Sequence, residues 1–131
     1  MEQAAAQDWL DRYVSAWVSY DPDAIGALFS EDVAYRYHPY DDPILGREAV
    51  VASWLGEPGS DDASTRDDPG TYGATYSPVA VDGDVVVATG TSTYRDAADG
   101  PVSRVYENCF VMRFDGTGRC REFTEYYIQR P

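Results

Sequence analysis

The proton-carrying side chains of this sequence are almost all carboxylates and tyrosines. Its 131 residues include 23 Asp and Glu and 11 Tyr, but only one histidine, His38, and two cysteines, Cys109 and Cys120. All ten basic residues are arginine because the chain contains no lysine, which excludes Schiff-base chemistry on a lysine amine. A single imidazole likewise excludes a multi-histidine metal centre. Apart from His38, a catalytic proton must therefore move through Asp, Glu, Tyr, Cys or water.

Glu125 is the acidic side chain that strand pairing places in the interior. The last two predicted strands, near 102–114 and 119–128, are joined by a four-residue turn that sets Phe114 opposite Arg119. The pairs that follow on one side of the sheet are Asn108 with Glu125, Phe110 with Phe123, and Tyr106 with Tyr127. The preceding strand adds Gly90, Ser92 and Tyr94 to that side, and Gly90 beside Asn108 is expected to leave room for a ligand.

This environment suits an acid–base group. Burial disfavours the charged form of Glu125 and raises its pKa, whereas a hydrogen bond from the Asn108 amide favours the carboxylate and lowers it. The sequence does not show which of the two effects on the pKa is larger, and either a raised or a lowered pKa fits general acid–base catalysis. The same register places both cysteines on the other side of the sheet and keeps Cys109 too far from Cys120 for a disulfide.

Three helices are predicted to cover the aromatic side of this sheet. The first carries Trp9, Leu10, Tyr13, Val14, Ala16 and Trp17 at helical spacing and ends near Ser19. The second is capped by Asp21 and carries Ala24, Ile25, Leu28 and Phe29 as its apolar stripe. The third runs from Gly46 or Arg47 to Leu55 with Ala49, Val50, Trp54 and Leu55 buried. A short strand over 33–37 lies between the second and third helices.

Helices followed by hairpin-connected strands predict an α+β class. The remaining strands are expected near 72–80 and 84–95, which makes the sheet mostly antiparallel, with helices packed on one face. Residues 57–70 have almost no apolar content and are expected to form a solvated surface loop. A lid over the pocket is the less favoured interpretation of this segment. No linker or repeat divides the chain, so residues 1–131 are expected to form a single domain.

The net charge of −13 restricts the partners. An acidic surface with no arginine-rich run disfavours nucleic acid and anionic membranes. The sequence shows neither a signal peptide nor eighteen consecutive apolar residues, so a cytoplasmic location is expected. The outer side of the sheet mixes threonine and apolar residues and is expected to form a homodimer interface; these residues are Thr89, Thr91, Thr93, Val105, Cys109 and Val111.

Several motifs occur in an order that resembles a known superfamily. They are Tyr13-Val14-Ser15-Ala16-Trp17 before Asp21-Pro22, then Leu28-Phe29-Ser30-Glu31-Asp32-Val33, Gly46-Arg47-Glu48-Ala49-Val50, and a Phe-Asp-Gly turn leading to Glu125-Tyr126-Tyr127. This order resembles the nuclear transport factor 2-like superfamily, and within it the SnoaL-like branch. The resemblance implies a cone-shaped barrel with a deep pocket, commonly a homodimer through the sheet. Its members include polyketide cyclases, ketosteroid isomerases, epoxide hydrolases and non-catalytic binders, so it implies function only loosely.

The resemblance also tests one mechanism residue by residue. Members that resemble limonene epoxide hydrolase hold the attacking water with a Tyr and, two residues later, an Asn, and supply Asp-Arg-Asp from later strands. Here Tyr35 fits the Tyr, but Tyr37 replaces the Asn. Gly90 and Ser92 stand where the Arg and the first Asp are expected, and Glu125 matches the last Asp. Epoxide hydrolysis by that mechanism is therefore not expected.

We predict a SnoaL-like enzyme that performs cofactor-free isomerisation, cyclisation or dehydration on a hydrophobic, aromatic or polycyclic molecule, without a metal. Glu125 is the acid or base, Asn108 orients it, and Tyr35 together with Tyr37 donates to a developing oxyanion. The predicted substrate-binding residues are Val14, Trp17, Tyr37, Trp54, Ser92, Tyr94, Tyr106, Phe110, Phe123 and Tyr127. His38 is expected at the rim, unless a bend at Pro39 turns it inward.

Two alternatives remain open. In the first, the same pocket merely holds a small molecule in a non-catalytic homodimer. In the second, the outer face of the sheet is a protein-interaction surface. Core packing is also an adequate explanation for most of the aromatic residues, because aromatic side chains at alternating strand positions are usually part of a hydrophobic core.

Overall fold

Helices cover one face of a single curved sheet. The computed structural model describes residues 1–56 and 66–131. Its helices are α1 (Gln3–Ser19), α2 (Pro22–Gly26) and α3 (Arg47–Leu55), and its strands are β1 (Phe29–Arg36), β2 (Ile44–Leu45), β3 (Tyr72–Asp82), β4 (Val85–Arg95), β5 (Val102–Phe114) and β6 (Cys120–Gln129). The six strands lie in the order β2-β1-β6-β5-β4-β3, with β1 parallel to β6 and the other neighbours antiparallel. This arrangement confirms the predicted α+β class, and the sheet is not closed.

The start of β1 differs from the prediction. The second helix ends at Gly26, and Phe29 already belongs to a strand rather than to a helical stripe. The backbone explains the difference, because the carbonyl oxygen of Leu28 accepts a hydrogen bond of 2.9 Å from the amide of Cys120, which draws the chain in beside β6. Leu28 and Phe29 are fully buried. An apolar pair fits either element, so periodicity alone could not decide between them.

α1 packs lengthwise on the concave face of the sheet. The ring of Trp9 meets Phe114 at a centroid distance of 5.4 Å, and one helical turn later Tyr13 meets Phe110 at 5.2 Å and Phe123 at 5.8 Å. The indole N–H of Trp9 is satisfied by the carbonyl oxygen of Leu28 at 2.9 Å. Among the described residues, no helix is long and apolar enough to span a membrane.

The pairing of β5 with β6 is shifted by two residues from the predicted register. Asn108 lies opposite Tyr127, and Phe110 lies opposite Glu125. The shift arises in two steps, since Phe114 pairs with Cys120 instead of residue 119, and a bulge at residue 121 adds one more residue to β6. Because side chains alternate with period two, two single-residue shifts return most of β6 to its expected face.

The bulge changes the position of one cysteine. Cys120 was expected on the outer side, but it is fully buried in the core beside Phe114. Cys109 is partly exposed on the outer side, opposite Tyr126. Both thiols are free, as the prediction of no disulfide required.

Candidate functional site

A cavity of about 440 Å³ lies between α1 and the strands β3 to β6. Half of its lining residues are tyrosines, and four charged side chains also line it. The lining residues are Tyr13, Trp17, Tyr37, Arg66, Asp67, Tyr72, Tyr76, Ser92, Tyr94, Arg104, Tyr106, Asn108, Glu125 and Tyr127. The wall thus combines apolar ring faces with a small number of hydrogen-bonding groups, which is typical of small-molecule sites.

Three strands align a directed hydrogen-bond chain that ends on Glu125. The Ser92 hydroxyl donates to Asn108 Oδ1 at 2.9 Å, and Asn108 Nδ2 donates to Glu125 Oε2 at 2.8 Å. Ser92 and Asn108 are buried, so both need partners within the protein. Because Ser92 donates to the amide oxygen, the amide nitrogen is directed at the carboxylate. Asn108 therefore orients Glu125, although the two residues are diagonal neighbours rather than the direct pair that the sequence predicted.

The structure also gives the direction of the Glu125 pKa shift, which the sequence left open. Burial raises the pKa of Glu125 to about 7, against the opposing effects of the Asn108 hydrogen bond and the nearby positive charge of His38. Desolvation is therefore the larger effect. A carboxyl group with this pKa is present in both forms near neutral pH, so it can accept a proton and return it.

His38 lies at the rim, as expected, and it contacts the cavity wall. Its Nδ1 is 2.9 Å from Asp41 Oδ2, and its Nε2 is 2.7 Å from the hydroxyl of Tyr127. The His38 side chain is 33% exposed. Burial and the charge of Glu125 both raise the pKa of Tyr127. A carboxylate, an imidazole and a phenol are thus connected in a row that leads from the rim into the cavity.

A second carboxylate, Asp67, was missed by the sequence analysis. Its Oδ2 accepts hydrogen bonds from the indole of Trp17 at 2.8 Å and from the hydroxyl of Tyr20 at 3.3 Å, while its amide donates to the same hydroxyl at 2.8 Å. Tyr20 has φ of 51°, in the left-handed region that a residue with a Cβ rarely adopts. No sequence signal distinguishes Asp67 from the other acids of the predicted loop, whose residues 57–65 lie outside the described part of the chain.

Four tyrosines from four neighbouring strands form a continuous arc along the cavity wall. Tyr72, Tyr94, Tyr106 and Tyr127 have successive centroid distances of 5.4, 5.7 and 5.4 Å. The guanidinium of Arg104 lies 4.6 Å from the centroid of Tyr94 and 5.8 Å from that of Tyr106. Arg104 was also missed, although the alternation of β5 places it on the same side as Tyr106.

Eight of the predicted site residues line the cavity. They are Trp17, Tyr37, Ser92, Tyr94, Tyr106, Asn108, Glu125 and Tyr127. Tyr37 also forms a hydrogen bond of 2.9 Å with the hydroxyl of Ser53. These eight side chains, which the sequence assigned to one pocket, therefore line a single cavity.

The other five predicted site residues do not line it. Val14, Tyr35, Trp54, Phe110 and Phe123 pack in or against the core, and all except Val14 are completely buried. Tyr35 stacks on Phe123 with a centroid distance of 4.6 Å, and its buried hydroxyl has no hydrogen-bond partner within residues 1–56 and 66–131. It is not among the residues that line the cavity, where an oxyanion donor would be needed. The ring centroid of Trp54 lies 4.6 Å from that of Trp17, beneath the cavity wall. The side of the sheet was predicted, but the boundary between core and cavity was not.

Gly90 does not leave room for a ligand. A Cβ at this position would lie 2.1 Å from the carbonyl oxygen of Thr75 and 2.3 Å from Cδ1 of Tyr76. Tyr76 is the cross-strand partner of Gly90 and fills the space beside it. The absent side chain therefore serves the packing of a wall tyrosine. Among the described residues, no three His, Cys, Asp or Glu side chains are grouped so that they could hold a metal ion.

Comparison with known proteins identifies relatives of this fold. A family model described as a SnoaL-like domain matches residues 10–123. Three similar solved structures are an LEH-like epoxide hydrolase from M. tuberculosis (18% identity, TM-score 0.65, covering 98% of this chain and 86% of that one), an NTF-2 like protein of unknown function from Burkholderia xenovorans (19%, 0.67, 100% and 91%), and a protein from Kribbella flavida described as a ketosteroid isomerase (15%, 0.67, 98% and 82%). No curated protein matches the sequence significantly. At these identities the structural similarities establish the cone fold and not an activity.

Proposed function

The chain belongs to the SnoaL-like domain family, and from this premise we propose that it is a small-molecule enzyme that binds an aromatic or polycyclic ligand and uses Glu125 to transfer protons without a cofactor. The Ser92–Asn108–Glu125 chain inside an aromatic cavity is the observation that carries the proposal. Two relatives of the same fold are described as an epoxide hydrolase and a ketosteroid isomerase, so the fold accommodates catalysis.

The chemistry begins with the charged form of Glu125. Its carboxylate removes a proton from a carbon next to a ligand carbonyl, and the electron pair moves into an enolate whose charge collects on the carbonyl oxygen. In an isomerisation the protonated Glu125 then returns the proton to another carbon. A group with a pKa of about 7 suits both steps, because neither proton transfer then has a large opposing driving force at neutral pH. The Asn108 amide holds the carboxylate in one orientation throughout.

The enolate oxygen also needs a hydrogen-bond donor. The buried position of Tyr35 removes it from this role, and we assign the role to Tyr127, whose hydroxyl is 2.7 Å from His38 Nε2. The phenol donates to the developing charge and accepts a hydrogen bond from Nε2–H of the His38 imidazolium, whose Nδ1–H donates to Asp41. In a dehydration, the same row of groups supplies the proton that the departing hydroxide needs.

The cavity favours a ligand with a flat aromatic part. Its volume of about 440 Å³ lies in the range of roughly 300–1,000 Å³ that is usual for drug-sized molecules. The tyrosine arc presents ring faces and edges, which pack well against planar aromatic rings. The tyrosine arc selects for a planar aromatic shape, and the ligand determines whether the reaction is an isomerisation, a cyclisation or a dehydration.

The proposal is tested by carbon-acid exchange on a simple probe. In D₂O, 2-tetralone should exchange its α-protons faster with the wild-type protein, as followed by proton NMR. Glu125→Gln should reduce this acceleration by at least about 100-fold, because general base catalysis contributes that much or more. Glu107→Gln is the matched control, since Glu107 pairs with Arg130 on the outer side of the sheet. The accelerated rate should rise with pH through about 7.

One result would favour the non-catalytic alternative. If the wild-type protein binds 2-tetralone but exchange is no faster than with Glu125→Gln, the cavity only holds the ligand and the enzymatic proposal is wrong. A structure of the protein with the probe gives a second criterion. In that complex, the Glu125 carboxylate must contact an exchangeable proton of the probe directly or through one bridging water.

We further propose that the protein forms a homodimer through the outer side of the sheet. Val111, Tyr126 and Ile128 are 38%, 46% and 76% exposed there, which leaves a large apolar surface on one protomer. Sedimentation velocity over a range of protein concentrations tests this proposal. A monomer at all concentrations would contradict it and would favour the alternative in which the outer face of the sheet is a protein-interaction surface.

A further inference from the structure

Arg104 is a cation at the cavity that has no carboxylate partner among the described residues. It extends from β5, and its Nη1 donates to the hydroxyl of Tyr106 at 3.2 Å. Its guanidinium lies over the rings of Tyr94 and Tyr106. The ion pairs within residues 1–56 and 66–131 involve Arg12, Arg113, Arg121, Arg130 and His38. Contact with aromatic rings holds the guanidinium in position and leaves much of its donor edge unused.

Two arginines line the cavity, Arg66 and Arg104. The Nε of Arg66 donates to the carbonyl oxygen of Leu55 at 3.0 Å, whereas in the part of the chain that the structure describes Arg104 contacts only tyrosine rings and one tyrosine hydroxyl. Asp67, one of the two carboxylates in the cavity wall, is occupied by the indole of Trp17 and the hydroxyl of Tyr20. Glu125 is held by the Asn108 amide. Neither cavity carboxylate forms an ion pair with Arg104.

We propose that Arg104 recognises a carboxylate on the ligand, so that the substrate class is an aromatic carboxylic acid. A planar guanidinium with several donors matches the two oxygens of a carboxylate better than it matches a single neutral oxygen. The rings of the ligand lie along the tyrosine arc while its carboxylate reaches the rim at Arg104. This inference rests on the proposed function only in that an aromatic ligand must enter the cavity.

The geometry separates recognition from chemistry. The carboxylate is bound at Arg104, beside the two central tyrosines of the arc, and the proton is transferred at Glu125 on the neighbouring strand. A ligand anion in the reverse orientation would face a carboxylate instead of a guanidinium. Arg104 therefore selects the orientation as well as the class of the ligand, since like charges in a partly desolvated cavity repel each other strongly.

A pair of isosteric probes tests the inference. Binding of 2-naphthoate and of its neutral amide, 2-naphthamide, is measured by isothermal titration calorimetry at about pH 6, where Glu125 is mostly protonated. The wild-type protein should bind the anion about tenfold more tightly than the amide. Arg104→Gln should bring the two affinities together by weakening only the anion, and Arg104→Lys should retain part of the preference.

A matched control removes an equal charge elsewhere. Arg12→Gln deletes an arginine that pairs with Asp8 on the exposed side of α1, and it should keep the full preference for the anion. Equal binding of the two probes to the wild-type protein, or an unchanged preference in Arg104→Gln, would overturn the inference and leave the proposed function standing. If neither probe binds the wild-type protein, the cavity does not hold an aromatic ligand and both proposals fail.

Discussion

Replacing Glu125 by Gln should stabilise the protein at alkaline pH, and the gain should depend on pH in a defined direction. Burial raises the pKa of this carboxyl from 4.5 to about 7. Between these two values the folded state binds more protons than the unfolded state. The stability that the neutral carboxyl provides is therefore complete below about pH 4.5 and is lost as the pH rises to about 7.

The size of this effect follows from the shift. A rise from 4.5 to about 7 corresponds to about 3 kcal/mol of unfolding free energy, lost when the carboxylate must be charged inside the cavity. Glutamine is neutral at every pH, and its side-chain oxygen accepts the hydrogen bond from Asn108 in the same position. The difference between variant and wild type should thus be near zero at pH 4.5 and about 3 kcal/mol in favour of Glu125→Gln above pH 8.

Urea unfolding at several pH values measures this difference directly. For a chain of this length, about 3 kcal/mol corresponds to a rise in Tm of roughly 10 °C at pH 8.5. Glu107→Gln provides a control of opposite sign, because the hydrogen bond from Arg130 lowers the pKa of Glu107. A stability difference for Glu125→Gln that is the same at pH 4.5 and pH 8.5 would refute the assigned desolvation. So would a carboxyl ¹³C resonance of Glu125 that titrates near 4.5.

Two further predictions concern the sheet. Gly90→Ala should destabilise the protein by about 2 kcal/mol or more in urea unfolding, because the new methyl overlaps backbone as well as the ring of Tyr76. Gly73→Ala is the control and should have little effect, since nothing lies within 4 Å of the added Cβ. Equal effects of the two substitutions would contradict the packing argument. In native protein, iodoacetamide should label Cys109 but not Cys120, since burial raises the pKa of the Cys120 thiol and excludes the reagent. Labelling of Cys109 should slow as protein concentration rises, and a rate that does not change would count against the proposed homodimer.

Period-two patterning predicted which side of the sheet faces inward, and it did so despite a wrong register. The turn at 115–118 specified a hairpin, but nothing in the residues indicates the bulge at residue 121. The bulge forms where the Cys120 amide bonds to the carbonyl oxygen of Leu28, a contact between segments that are distant in sequence. Local signals determine the alternation of a strand, while its exact pairing depends on such tertiary contacts.

The boundary between core residues and cavity residues could not be predicted from the sequence either. Tyr35 and Tyr127 are both aromatic residues on strands, yet one is completely buried and the other is 41% exposed. Tyr35 lies beneath α3, with its ring 6.3 Å from that of Trp54, whereas Tyr127 lies near the end of β6 and contacts His38 at the rim. Asp67 entered the site through its contact with Trp17 on α1, in a segment whose composition resembles any acidic loop.

The difference in rise between a helix and a strand explains why a cavity exists at this end of the fold. Beyond the contact of Tyr13 with Phe110, α1 continues only to Ser19, about 9 Å at 1.5 Å per residue. β5 continues from Phe110 to Arg104, about 20 Å at 3.3 Å per residue. The sheet therefore extends beyond the helix that covers it. The part under α1 is filled by aromatic core, and the part beyond it exposes the polar groups of β4, β5 and β6, with Glu125 near the boundary. An acid placed there is desolvated enough to raise its pKa and open enough to meet a ligand.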